Sequence, residues 1–265
     1  MQQPTPFYTA QNLQPAYHLR YGWTAWPAEG QHLPDHPPKD FWNALADAWE
    51  RDGLRMLEHQ WRPEHVQVTF SARPDMSPAF LAARAKGRVQ HALRRVGAQT
   101  RFARKFVVRS IGKNTRSAVQ NYVNTQTQHD ELADPRFAAR LRTFAVQDNS
   151  VDLTQPHTTS SGRYWYNLHI VLVIADRVRL GKDDTLTALR DMALRVGRVR
   201  QIAIAEWSVM PDHAHTLVRP PPDVSPEQTV LWFQNNLAWA AGKCRVWNDT
   251  YYAGTCGEYT MHAVR

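Results

Sequence analysis

The strongest constraint on the fold is that the sequence repeats itself. The stretch WRPEHVQVTFSARPDMSP, Trp61–Pro78, lies against SVMPDHAHTLVRPPPDVSP, Ser208–Pro226, at a constant offset of 148 residues. Pro63 falls on Pro211, Glu64 on Asp212 and His65 on His213. Pro74, Asp75, Ser77 and Pro78 fall on Pro222, Asp223, Ser225 and Pro226 without a gap. A chain built this way folds as two copies of one unit, a constraint that precedes any single motif.

The flanks extend the repeat. AYHLRYGWTAW, residues 16–26, resembles WYNLHIVLVIA, residues 165–175, and each reads as a first strand. An amphipathic helix follows in both copies, FWNALADAWERDG ending at Gly53 and TLTALRDMALRVG ending at Gly197. Glycine is the usual residue where a helix stops. LRMLEHQW and RQIAIAEW then read as strands. Ser-Pro at 77–78 and at 225–226 supplies the N-cap and first residue of a second helix. FARKFVVRSIG, residues 102–112, matches WNDTYYAGTCG, residues 247–257, as a closing strand before a further helix. The expectation is an α+β fold of two tandem βαββα-type units with a mixed or antiparallel sheet. The units span residues 1–130 and 163–265, and a polar linker over 131–162 joins them.

Composition narrows the partner. The net charge is +8 and aromatic residues make up 11% of the chain. That pairing suits nucleic acid, where cationic side chains meet phosphates and rings stack on bases. The two cysteines, Cys244 and Cys256, lack metal-site spacing and read as buried thiols. The first twenty residues have no apolar signal core, and no run of eighteen apolar residues occurs, so the expected location is cytoplasmic. There is no Gly-rich phosphate loop, nucleophile elbow or dinucleotide fingerprint, which leaves a small-molecule enzyme without support.

The copies differ where chemistry would sit. The second has His213-Ala214-His215, and the first has His65-Val66-Gln67. Alternate strand residues share a face, so His213 and His215 can offer two nitrogens to one ion. The first copy closes with SIGKNTRSAVQNYVNTQ, which puts Tyr122 and Gln126 on one face of a helix. In the second copy the matching tyrosine would fall beyond residue 265, and the expectation is that this copy lacks it. Each half then keeps what the other has lost.

These residues, MPDHAHTLV with PPDVSP, YYAGTCG and a helix carrying YVNTQ, resemble the single-tyrosine HUH transposases of small insertion sequences and the REP-associated tyrosine transposases. The resemblance implies two ferredoxin-like or RRM-like domains, each an antiparallel sheet with helices on one face. It implies dimeric enzymes acting on single-stranded or hairpin DNA, in which the tyrosine helix of one subunit docks beside the histidines of the other. Carried over, it implies His213 and His215 as metal ligands, Gln126 as a third ligand and Tyr122 as nucleophile. The tandem chain is then a fused pseudo-dimer with one composite site, and His65 and Gln67 are remnants.

The implied chemistry is a divalent ion, Mg2+ or Mn2+, polarising a phosphate that the tyrosine attacks. Plainer roles stand beside it. A His-x-His pair can be half-buried packing, Tyr122 an ordinary helix aromatic, and Asp212 and Glu64 turn caps. Arg84, Lys86, Arg88, Arg94, Arg95, Arg101, Arg104 and Lys105 cluster around the second helix of the first copy. They read as a phosphate-binding surface, or as a solvated helix face. Trp232, Trp239 and Trp247 read as a stacking platform or as core and inter-domain contact. The rival function is a catalytically inactive protein that binds DNA or RNA hairpins or ends.

Overall fold

The computed structural model describes residues 5–126, 135–177, 179–242 and 245–258. Two six-stranded sheets carry the chain. The first runs β3 (Leu54–Arg62), β4 (His65–Ala72), β2 (Arg20–Pro27), β5 (Phe102–Ile111), β8 (Gly162–Trp165) and β7 (His157–Thr158). The second runs β1 (Gln14–His18), β12 (Trp247–Cys256), β9 (Asn167–Ile174), β11 (His213–Arg219), β10 (Ala203–Val209) and β6 (Val146–Gln147). Four strands of each, β3-β4-β2-β5 and β10-β11-β9-β12, pair antiparallel in matching order. The repeat therefore yields two tandem ferredoxin-like units of α+β class.

The fifth strand of each sheet comes from the other half. The expected first strand over 16–26 is broken at Leu19: β1 pairs parallel with β12, and β2 continues into its own sheet. The second copy does the same at Tyr166, with β8 parallel to β5 before β9 begins. Leu19 and Tyr166 are fully buried at these crossings, where the strand steps between sheets without a loop.

Paired hydrogen bonds mark the pseudo-two-fold axis. The Arg20 amide donates to Thr255 Oγ1 at 2.9 Å, and the Asn167 amide donates to Ser110 Oγ at 3.2 Å. The Ala79 amide donates to the Pro222 carbonyl and the Glu227 amide to the Pro74 carbonyl, both at 2.9 Å. Such reciprocity is the signature of an isologous dimer contact, here within one chain. The crossing leaves no room for a side chain: a Cβ on Gly257 would stand 2.0 Å from the Ser110 carbonyl oxygen, and one on Gly112 would stand 2.3 Å from that of Asn114.

Helices α1 (Phe41–Arg51) and α2 (Pro78–Arg95) cover one face of the first sheet; α5 (Asp183–Arg200) and α6 (Pro226–Ala240) cover one face of the second. A single apolar core runs beneath all four. The Ser-Pro starts form as expected, with Ser77 Oγ accepting from the Phe80 amide and Ser225 Oγ from the Gln228 amide. The stop at Gly197 does not. Helix α5 continues to Arg200, and Gln201 takes the left-handed conformation at its end. Gly197 serves close packing instead, since a Cβ there would come within 2.8 Å of Ile204 Cδ1.

The segment between the copies carries α4 (Pro135–Arg142), β6 on the edge of the second sheet and β7 on the edge of the first. Cys256 is a buried free thiol pushed up to about 12 by burial, chemically quiet at neutral pH. Cys244 and the expected last helix of the second copy, residues 259–265, lie outside the described residues. Among the described residues, no helix is long and apolar enough to cross a membrane.

Candidate active site

Strand alternation decides which side chains meet. On β11, Ala214 and Val218 enter the main core, so His213, His215 and Leu217 face the other way. On β9, Leu168, Ile170, Leu172 and Ile174 enter the core, and His169 and Val171 share the face of the histidines. Helix α3 (Arg116–Asn124), from the first copy, covers that face of the second sheet. Thr115 Oγ1 caps it by accepting from the Ala118 amide.

Two forces hold α3 there. Val119 and Val123 pack with Ala205, Leu217 and Cys256 in a small separate core. Burying each valine stabilises the docked helix by roughly 1.5–3 kcal/mol. Beside them, buried Glu206 accepts through Oε1 from Gln120 Nε2 at 2.9 Å and Asn124 Nδ2 at 3.3 Å. One strand carboxylate thus grips two turns of the helix. Burial raises the Glu206 pKa, partly offset by these two donors.

The docked helix brings Tyr122 to the histidines. Its ring lies edge-on to His215 with centroids 5.5 Å apart, and to His169 at 6.2 Å. The His213 and His215 rings are 4.9 Å apart. Tyr122 remains 44% exposed. Gln126 is buried, and its Oε1 has no hydrogen-bond partner among the described residues.

Each histidine has a neighbour that orients it. His213 Nδ1 is 2.7 Å from Asp212 Oδ1, which leaves Nε2 with its lone pair when Nδ1–H donates. His215 Nδ1 is 3.0 Å from His169 Nε2, and the tautomer with Nδ1–H donating likewise leaves Nε2 available. Burial pushes His169 down to about 4, and burial with the neighbouring His169 and His213 pushes His215 down to about 2. Both are neutral at physiological pH, the state in which imidazole binds metal. Among the described residues, no group of three or more His, Cys, Asp or Glu side chains is arranged to hold a metal ion. The implied set differs in kind, because its third member is an amide.

The family model described as "Transposase IS200 like" matches residues 28–126 and again 163–265. The chain belongs to this family.

Solved structures are similar to the chain over about a third of its length. A protein from Deinococcus radiodurans R1 put forward as a transposase is 17% identical at a TM-score of 0.31, covering 33% of this chain and 75% of its own. A REP-associated tyrosine transposase bound to a REP hairpin is 18% identical at a TM-score of 0.31, covering 34% of this chain and 55% of its own. No curated protein matches in sequence.

The other residues singled out in the sequence divide by location. Arg88 makes a two-pronged bond to Asp52, both contacts at 3.0 Å, and Lys86 Nζ donates to the Ala103 carbonyl at 2.6 Å. Those two cations tie α2 to its surroundings. Arg84 stacks on Phe80, and Arg94, Arg95, Arg101, Arg104 and Lys105 are exposed. Helix α2 packs on the first sheet, whereas His213 and His215 lie on the second. Trp247 is core, Trp239 is exposed against Phe7, and Trp232 carries the Arg200 guanidinium on its ring.

The sequence reading missed His169, Glu206, Gln120 and Asn124. The signal for His169 and Glu206 was a lone polar residue in an otherwise apolar strand, LHIVLVI and AIAEW. A buried polar group needs a partner, so each one advertised a contact from elsewhere.

Proposed function

We propose that this chain nicks and rejoins single-stranded or hairpin-flanked DNA at one composite site. The observation that carries the reading is the meeting of Tyr122, from one copy, with His215 and His169 of the other.

In this reading the Tyr122 oxygen attacks the scissile phosphorus in line. A Tyr–O–P bond forms, the P–O3′ bond breaks, the phenol proton passes to solvent and the leaving 3′ oxygen gains one. The phosphotyrosine keeps the energy of the phosphodiester, so a 3′-hydroxyl can reverse the step and join strands. Asp212 and His169 keep the free lone pairs of His213 and His215 directed outward. Glu206 holds the nucleophile's helix in place.

The outward nitrogens of His213 and His215 and the unpartnered Gln126 Oε1 suit a divalent cation, Mg2+ or Mn2+, which these three residues would hold. When bound, the cation supplies Lewis-acid polarisation of the scissile phosphate. The duplicated units are residues 1–130 and 163–265, joined through 131–162, and they act as an intramolecular pseudo-dimer.

The test is adduct formation on end-labelled single-stranded and hairpin oligonucleotides with Mg2+ or Mn2+. The wild-type chain forms a covalent protein–DNA species and Tyr122→Phe forms none. Cleavage unchanged in Tyr122→Phe overturns the assignment. Tight binding with no adduct in the wild type identifies the inactive hairpin-binding protein instead.

A further inference from the structure

The pseudo-two-fold axis that builds the histidine site also defines its counterpart. Val171 lies opposite His215 just as Thr24 lies opposite Gln67. Two residues earlier on each strand, His169 corresponds to Gly22. At this counterpart position the first sheet has a cavity of about 410 Å³, lined by Gly22, Gln67, Arg109, Arg116, Trp165 and Asn167. It too is composite, because Trp165 and Asn167 come from the second copy. Among the described residues its lining holds no imidazole. Gln67 stands where the second copy has His215, and His65, the counterpart of His213, lies against Gln60 Oε1 at 3.5 Å, so the cavity does not repeat the chemistry proposed for the other side.

What it retains is recognition chemistry. Arg109 lies 4.6 Å over the Trp165 ring, which makes a cationic, flat wall. Arg116 adds a second guanidinium, and Glu258 also lines the space, so the lining among the described residues carries one net positive charge. Asn167 is 2% exposed; its Nδ2 donates to the Leu153 carbonyl at 3.1 Å, and its Oδ1 has no partner among the described residues. A buried acceptor left unpaired is costly, and the cost is removed when a ligand N–H reaches it. Guanidinium groups for a phosphate, an aromatic plane for stacking and a sunken acceptor for an amino group match the three parts of a nucleotide. The volume lies within the usual range for small-ligand pockets.

We propose that this cavity binds an unpaired nucleotide of the DNA strand, so that the side where Gln67 replaces the second histidine acts as a strand-holding site. The inference rests on the reading of single-stranded DNA as substrate and goes beyond it in assigning a second, non-catalytic contact. The strand is held on the face of the first sheet that corresponds to the cleavage face of the second.

The experiment uses the full chain carrying Tyr122→Phe, so that binding is read without chemistry. Single-stranded oligonucleotides carrying 5-iododeoxyuridine at successive positions are irradiated in complex, and the crosslinked residue is identified by mass spectrometry. The expected result is a crosslink to Trp165 at one position. In fluorescence anisotropy Arg109→Glu, an exposed substitution, weakens binding about tenfold. Crosslinks confined to residues outside the cavity, wild-type affinity in Arg109→Glu, or no DNA binding each overturn the proposal. The adduct assay with the unmutated tyrosine is separate. A Trp165 crosslink without a Tyr122 adduct leaves the holding site standing and sinks the nicking reading; an adduct without the crosslink does the reverse.

Discussion

Tyr122 belongs to one copy of the repeat and His215 to the other, and their rings meet edge-on at 5.5 Å. This contact exists only because α3 leaves its own sheet and docks on the neighbouring one. The docking is specific, since Val119 and Val123 find apolar partners where Gln120 and Asn124 find the Glu206 carboxylate.

Glu206 gives the first prediction. Removing its side chain in Glu206→Ala strands two amide donors and releases the helix. The expected loss is about 1–3 kcal/mol of stability. Faster hydrogen exchange over residues 116–124 and a reduced yield of the tyrosine adduct accompany it. Exchange unchanged from wild type would count against the clasp.

The same residue predicts a pH signature. Burial raises its folded pKa above the unfolded value, so its neutral form favours the native state. Its contribution to stability is fully present below the unfolded pKa, near 4.5, and is lost as pH rises through the folded value. Glu206→Gln keeps the amide oxygen as acceptor and cannot ionise. Its melting temperature should match wild type in acid and exceed it increasingly above about pH 4.5. Parallel melting curves across pH would refute this.

His169 and Asp212 give a prediction about orientation. Neither is assigned as a metal ligand, yet each holds the inner nitrogen of one that is. His169→Phe and Asp212→Ala should each weaken Mn2+ binding about 10–100-fold, as outer partners of ligating histidines do elsewhere. His215→Ala should remove binding altogether. Calorimetric titration with Mn2+ reads all three, and affinities equal to wild type in both positioning variants would refute the role.

Thr255 tests the join between sheets. Its hydroxyl accepts from the Arg20 amide at 2.9 Å and lies 2.7 Å from the Ile111 carbonyl oxygen. Thr255→Val keeps the shape and removes both of these hydrogen bonds at a buried position. The expected cost is about 1–3 kcal/mol, restored by Thr255→Ser. Thermal unfolding of the two variants checks it.

Much of this was legible because the repeat compares the sequence with itself. Matching strands, Ser-Pro helix starts and the complementary losses of Gln67 against His215 need no knowledge of packing. The strand exchange was not legible, because YHLRYG and WYNLH read as unbroken strands whether or not they change sheets. Gly197 misled for a related reason: a glycine placed for close approach to Ile204 has the same letter as one placed to end a helix. The Pro-Asp-x-Ser-Pro segments read as helix starts, and they also touch each other through Ala79 and Glu227. A single sequence cannot separate those two duties.

The crossings at Leu19 and Tyr166 also bear on how such a chain can be inherited. Cutting between the repeats would leave β1 attached to the wrong piece and deprive β5 of β8. A chimaera between relatives has to carry both crossing strands together with the edges they complete. The units that recombination can trade are therefore interleaved along the gene, and they are not the two repeats read in order.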